Sequence, residues 1–127
     1  MPRYMLLMYQ PVQARPTGDW SEQYAKWQRF DQDVKAAGLF VANDGLATTD
    51  LATTVRVREG ETQITDGPFA ETKEYLAGYY LIDASDLDTA LEWAARIPSA
   101  TYGSVEVRPM WGATGESTRA GEAQTQA

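Results

Sequence analysis

Two stretches constrain the fold more than anything else in the chain: Arg3–Tyr9 (RYMLLMY) and Tyr75–Asp83 (YLAGYYLID). Each has the length of a strand and is apolar on both alternating sets of positions. A strand with one wet face alternates apolar and polar residues, so a strand lacking that alternation must be covered on both sides. In the second stretch Leu76, Gly78, Tyr80 and Ile82 form one row, and Tyr75, Ala77, Tyr79 and Leu81 form the other. Both faces of the sheet that holds these strands need cover.

The chain offers two helical segments for that purpose. In the first, Asp19 is an N-cap with Glu22 at capping-box spacing. Trp20, Tyr24, Trp27, Phe30 and Val34 recur at three- and four-residue steps, Ala37 extends the stripe, and Gly38 stops it. This predicts a helix of about five turns. In the second, Ser85 caps, Asp88 stands at N3, Leu87, Leu91, Ala94 and Ile97 make the apolar stripe, and Pro98 ends it. Pro11, Pro16 and Gly18 break the chain after the first strand.

Four further strands complete the pattern. Leu39–Leu46 (LFVANDGL) reads as a strand that frays or bulges at Asn43-Asp44-Gly45. Thr53–Arg58 (TTVRVR) alternates strictly, Glu59-Gly60 turns it, and Thr62–Thr65 (TQIT) returns as its partner. Ser104–Pro109 (SVEVRP) puts Val105 and Val107 on one side and Ser104, Glu106 and Arg108 on the other. The order β-α-β, inserted β-hairpin, β-α-β predicts an α+β fold, a ferredoxin-like sandwich, as one domain over residues 1–110. Residues 111–127 are small and polar after the opening Trp111 and cannot offset their ordering entropy, which predicts a flexible C-terminal tail. Two helices cover one face of such a sheet. The simplest cover for the other is the same surface of a second copy, an isologous homodimer.

Composition excludes several chemistries. There is no Cys and no His, so thiolate catalysis and the Ser-His-Asp and Cys-His arrangements are absent from this chain. The net charge of −7 repels phosphate backbones, and nucleic acid is not an expected partner. The short apolar run at the N-terminus has no small-residue cleavage pattern behind it and is far shorter than a membrane span, so no membrane association is expected and the location is read as cytoplasmic. Asp31 and Asp33 lie on different helix faces, and Asp83, Asp86 and Asp88 suit capping and first-turn charge better than metal ligation. No metal and no cofactor is expected.

The densest chemistry lies in Thr65–Glu74, TDGPFAETKE. Asp66-Gly67-Pro68 is strong turn chemistry, because Asp accepts local N–H bonds, Gly allows positive φ and Pro fixes φ. One reading is a strand connection with Glu71, Lys73 and Glu74 in water. The other is a stiff loop that holds Asp66 and the Glu71/Lys73 pair in a pocket together with Gly67, Pro68, Phe69 and Glu74. Without His, Asp66 and Glu71 are the candidate catalytic carboxylates, each needing burial to raise its pKa. Ser104, Glu106 and Arg108 form a second set. They read either as an ion pair of Glu106 with Arg108 or Arg56, or as a polar pocket lined by Tyr80, Glu106 and Arg108. Arg56 and Arg58 could grip an anion, or form the solvated face of an edge strand.

DGPFAETKE, followed by YLAGYYLID, ALEWAARIP and YGSVEVRP, resembles the YCII-related family in its DGPF-domain branch. The resemblance covers Arg3 to about Pro109. It implies a dimeric α+β barrel built on the ferredoxin-like sandwich, and a site at Asp66, Gly67, Pro68, Phe69, Glu71, Lys73 and Glu74. Some relatives are thought to be enzymes, including a dehalogenase of lactone degradation, and a His/Asp pair in a cleft has been proposed as catalytic. This chain has no His, so that mechanism does not transfer. Members of the branch are often encoded beside extracytoplasmic-function sigma factors, which implies a regulatory association. Three functions follow as expectations: a homodimeric small-molecule-binding protein; a carboxylate-based lyase, isomerase or hydrolase acting on a small anion; and an interaction module of sigma-factor regulation.

Overall fold

The structure is a computed structural model that describes residues 2–12 and 20–112. The expected N-cap Asp19, the breakers Pro16 and Gly18, and the tail beyond Gly112 lie outside the described residues. The elements run β1 (Arg3–Pro11), α1 (Trp20–Ala36), β2 (Phe40–Gly45), β3 (Thr53–Arg58), β4 (Glu61–Asp66), β5 (Glu74–Asp83), α2 (Leu87–Ala95) and β6 (Ser104–Pro109), with 3-10 turns at Thr49–Leu51 and Pro98–Thr101. The chain is α+β. Its main sheet has the order β2-β5-β1-β6, antiparallel throughout, and β3-β4 forms a separate two-stranded hairpin. No helix among the described residues is long and apolar enough to cross a membrane.

Both helices pack on the same face of the main sheet. Tyr4, Leu6 and Met8 of β1 and Tyr80 and Ile82 of β5 meet Phe30 and Val34 of α1 and Ala90 and Ala94 of α2 in one core, with Val105 and Val107 of β6 at its margin. Phe30 is the hub. Its ring stands edge-on to Tyr80 at 5.1 Å and to Trp93 at 6.1 Å between centroids, the arrangement that aromatic quadrupoles favour. The small Ala90 and Ala94 let α2 approach the sheet closely. Of the stripe expected from spacing, Ala94 and Ile97 are buried, joined by Ala90 with Trp93 beside it, whereas Leu87 and Leu91 stay about half exposed. On α1, Phe30 and Val34 are buried, whereas Trp20 and Tyr24 overhang into solvent.

The helix ends follow from local chemistry. After α1, Gly38 takes φ +76°, its N–H bonds the Lys35 carbonyl at 3.0 Å, and the Leu39 N–H reaches back to Val34 at 3.2 Å. This is a Schellman stop with its usual apolar contact, since Val34 and Leu39 are both in the core. The cap of α2 is Asp86 rather than Ser85: its carboxylate accepts from the Thr89 N–H at 2.8 Å, which also holds the carboxyl below its usual pKa. In the hairpin, Glu59 and Gly60 both have positive φ, the two-residue turn whose twist matches its strands.

Two irregularities correct simple alternation. The register of β2 against β5 shifts between Phe40 and Ala42, so the bulge falls at Val41 and not at Asn43–Gly45, which pair regularly with Tyr80–Gly78. In β5, Gly78 faces Met8 while Leu76 faces Tyr9, which leaves Ala77 as an extra residue. The bulge reverses the faces of everything before it. Leu76 and Glu74 thereby join the face opposite Tyr80, while Tyr75 turns to meet Gln10, its hydroxyl 3.3 Å from the amide oxygen. Gly78 is required at this crowded point, because a Cβ there would sit 2.6 Å from the Asp44 carbonyl oxygen.

Candidate functional site

The sheet face away from the helices is built row by row from the strand pairing. Leu76, Tyr9 and Ser104 form one row; Tyr79, Leu7 and Glu106 the next; then Leu81, Met5 and Arg108; and Asp83 with Arg3 at the end. The middle of this face is apolar and its margins are polar and paired. Arg3 Nε donates to Asp83 at 2.9 Å. Along the edge strand, Arg108 Nε donates to Glu106 Oε2 at 2.8 Å and Nη2 donates to the same oxygen. At the other end Ser104 Oγ lies 3.2 Å from one oxygen of Glu74 and 3.3 Å from the other. The Glu106 carboxylate raises the Arg108 pKa further above its ordinary value by hydrogen bonding and charge.

The DGPF loop, residues 66–73, runs from the end of β4 to the start of β5 and is stitched down at both ends. Gly67 adopts φ +99°, which its missing Cβ allows at no steric cost. Its N–H donates to the Ala52 carbonyl at 2.7 Å, and its own carbonyl accepts from the Thr54 hydroxyl at 2.7 Å. Arg56 Nη2 reaches the Phe69 carbonyl at 3.4 Å. At the far end the Val12 N–H donates to the Lys73 carbonyl at 3.0 Å, and the Thr72 hydroxyl bonds the Glu74 carbonyl. Thr54 and Arg56 are half-buried because they face this loop, whereas Val55 and Val57, on the other side of β3, are exposed. Arg56 and Arg58 do not act as a pair: Arg58 donates to the carbonyl of its neighbour Val57 at 3.1 Å.

The residues singled out in the sequence thus separate into groups. Asp66, Phe69, Glu71 and Lys73 are exposed, Phe69 at 79%, while Gly67 and Pro68 are half-buried under the hairpin. Glu71 and Lys73 form no ion pair with each other among the described residues. Glu74 leaves the loop for the sheet and shares the open face with Glu106 and Arg108. Tyr80 does not join them. It is 3% exposed on the helix side, where its hydroxyl donates to Asp31 Oδ1 at 3.0 Å, so a pocket lined jointly by Tyr80, Glu106 and Arg108 does not form within the chain. Burial first, then the hydrogen bond to Asp31, push the Tyr80 phenol far up from its ordinary value. The Lys35 ammonium, 2.8 Å from Asp31, is the main cause that lowers the Asp31 carboxyl, with Tyr80 adding to it against a smaller desolvation.

Sequence reasoning missed the Glu74–Ser104 link and the anchoring by Ala52 and Thr54. A hydroxyl at Thr54, in phase with Arg56 on the side of β3 opposite the two valines, was the available signal. Four of the five aspartates that invite a metal reading have other partners: Asp31 bonds Tyr80 and Lys35, Asp33 pairs with Arg96 at 2.6 Å, Asp83 with Arg3, and Asp86 caps α2.

This combination of an antiparallel sheet, two helices on one side and a DGPF loop between inserted hairpin and central strand has relatives. The family model of the YCII-related domain matches residues 3–114, and the chain belongs to that family. It is similar to an uncharacterized protein of Rhizobium meliloti (strain 1021), 52% identical over 103 residues that cover 74% of this chain and 82% of that protein.

Proposed function

We propose that this chain is a homodimeric small-molecule-binding protein of the DGPF-type branch of its family. Its ligand pocket forms between the DGPF loop and the open sheet face once a second copy is seated there. One observation carries the reading: among the described residues the β3-β4 hairpin buries no apolar side chain. Every residue of β4 is exposed, and the cross-strand pair Val55–Ile64, with Val57 beside it, faces solvent at 59–69%. A two-stranded hairpin is marginal at best in water unless it packs on something. The same chain offers an apolar sheet centre with a polar, internally paired rim, which is the anatomy of an interface. Exchange of hairpins across a two-fold axis answers both needs at once.

The strand order β2-β5-β1-β6 with both helices on one face supports the ferredoxin-like reading, and two such sheets closed face to face make a dimeric α+β barrel. In that seam Glu74, Glu106 and Arg108 stand on the same face, next to the loop bearing Asp66, Gly67, Pro68, Phe69, Glu71 and Lys73. The exposed Phe69 supplies an apolar wall, and the stitched backbone holds the loop in position before a ligand arrives. Thermal shift over a metabolite panel, run on the parent protein and on Asp66→Ala, tests the site. A ligand that stabilises the parent and not the variant is expected. Equal shifts in both proteins for every ligand would remove the loop from the site.

A further inference from the structure

A cleft of about 380 Å³ opens between α1 and the 3-10 turn Pro98–Thr101, and it shares no residue with the DGPF loop or the open sheet face. Phe30 and Pro98 give it an apolar floor. Lys26, Arg29 and Arg96 stand around it with one carboxylate, Asp33. The chain as a whole carries a net charge of −7, so three cations against one anion reverse the sign of the field locally. The three cations are not equivalent. Arg96 is fixed: its Nη2 lies 2.6 Å from Asp33 Oδ2, and its guanidinium lies 4.2 Å from the centre of the Trp93 ring. That leaves a planar, oriented donor set at the cleft. Lys26 and Arg29 form no ion pair among the described residues, so their charges are available to a ligand.

Two buried polar atoms on the elements that flank the cleft lack partners among the described residues, although neither residue lines it. Ser99 sits in the turn that lines the cleft, is fully buried, and its hydroxyl has no hydrogen-bond partner among the described residues. Gln23 stands one and two turns before Lys26 and Phe30 on the same side of α1, and its side-chain oxygen is buried and equally unpartnered.

We propose that this cleft binds a small monocarboxylate with an apolar ring or chain. Its body lies on Phe30 and Pro98, and its carboxylate meets Arg29, Lys26 and Arg96. The volume is at the low end of ligand pockets, which limits the body to about a fused ring pair or a short chain. A neutral analogue keeps the apolar contact and loses the charge-assisted hydrogen bonds. The site needs neither the DGPF loop nor a second copy, so it stands or falls separately from the reading above.

Amide resonances of the full-length protein, followed during titration with naphthalene-2-carboxylate and with its neutral carboxamide, test this. The shifts should fall within Gln23–Val34 and Arg96–Thr101. The acid should bind at least roughly tenfold more tightly than the amide. Lys26→Gln combined with Arg29→Gln should remove most of the acid's advantage over the amide, leaving only the share of Arg96, with the rest of the variant's spectrum unchanged. Equal affinities of acid and amide for the parent, shifts centred on the open sheet face, or no saturable shift with millimolar acid would each overturn the proposal.

Discussion

Replacing Tyr80 by Phe removes a single oxygen from the centre of the molecule. The ring keeps its edge contacts with Phe30 at 5.1 Å and Phe40 at 6.1 Å, so packing is conserved. What is lost is the hydroxyl of a buried residue, which donates to the Asp31 carboxylate at 3.0 Å and also bonds the Asn43 side chain. Hydrogen bonds to charged groups contribute about 1.5–3 kcal/mol. Asp31 keeps Lys35 and part of its hydration, its side chain being 31% exposed, which puts the expected loss near the lower end, about 1.5 kcal/mol. For a domain of this size that lowers Tm by on the order of 5 °C. Tyr80→Ala also loses the ring and should cost about 3–5 kcal/mol.

The pH dependence has a definite sign. Lys35 first, and Tyr80 with it, lower the Asp31 pKa in the folded state. The stabilisation is therefore fully present above the unfolded carboxyl pKa and is lost as pH falls through the folded value. Urea unfolding of parent and Tyr80→Phe, at fixed protein concentration, should show a gap at neutral pH that narrows in acid. A variant as stable as the parent at neutral pH, or a gap that widens in acid, would refute the Tyr80–Asp31 hydrogen bond as a source of stability.

Other substitutions probe the frame around the site. Gly78→Ala places a methyl group 2.6 Å from the Asp44 carbonyl oxygen and 3.1 Å from Gly45 Cα, so β2 must move off β5; a loss of about 1–3 kcal/mol is expected in urea unfolding. Asp86→Ala removes the N-cap of α2 and should cost about 1 kcal/mol by the same assay, whereas Ser85→Ala should cost clearly less. Thr54→Val deletes the hydroxyl that holds the Gly67 carbonyl; amide exchange in the DGPF loop should speed up while that of β1 and β5 is unchanged.

The α+β plan was legible because its signals are local and redundant: aromatic residues at helical spacing up to Gly38, strict alternation in Thr53–Arg58, and a turn at Glu59-Gly60. The errors arise where one residue changes the phase. An extra Ala77 moves Leu76 and Glu74 to the other face, yet a strand apolar on both sides looks the same with or without it. On α2 spacing named Ala94 and Ile97 correctly, but it put Leu87 and Leu91 in the core where the close approach to the sheet selects Ala90. The candidate site was legible as a motif and not as a geometry. DGPFAETKE announces a turn with charges, while its attachment to Ala52, Thr54 and Val12 depends on a hairpin seated beside it. Tyr80 was misassigned because alternation names two faces without saying which one the helices cover.

Sedimentation equilibrium of the full-length protein over a range of micromolar concentrations tests the dimer directly. A species of twice the 14.1 kDa chain mass is expected, and its dissociation into single chains when Leu7 or Val55 is replaced by Lys. A parent protein that stays a single chain of 14.1 kDa at the highest concentration would contradict it.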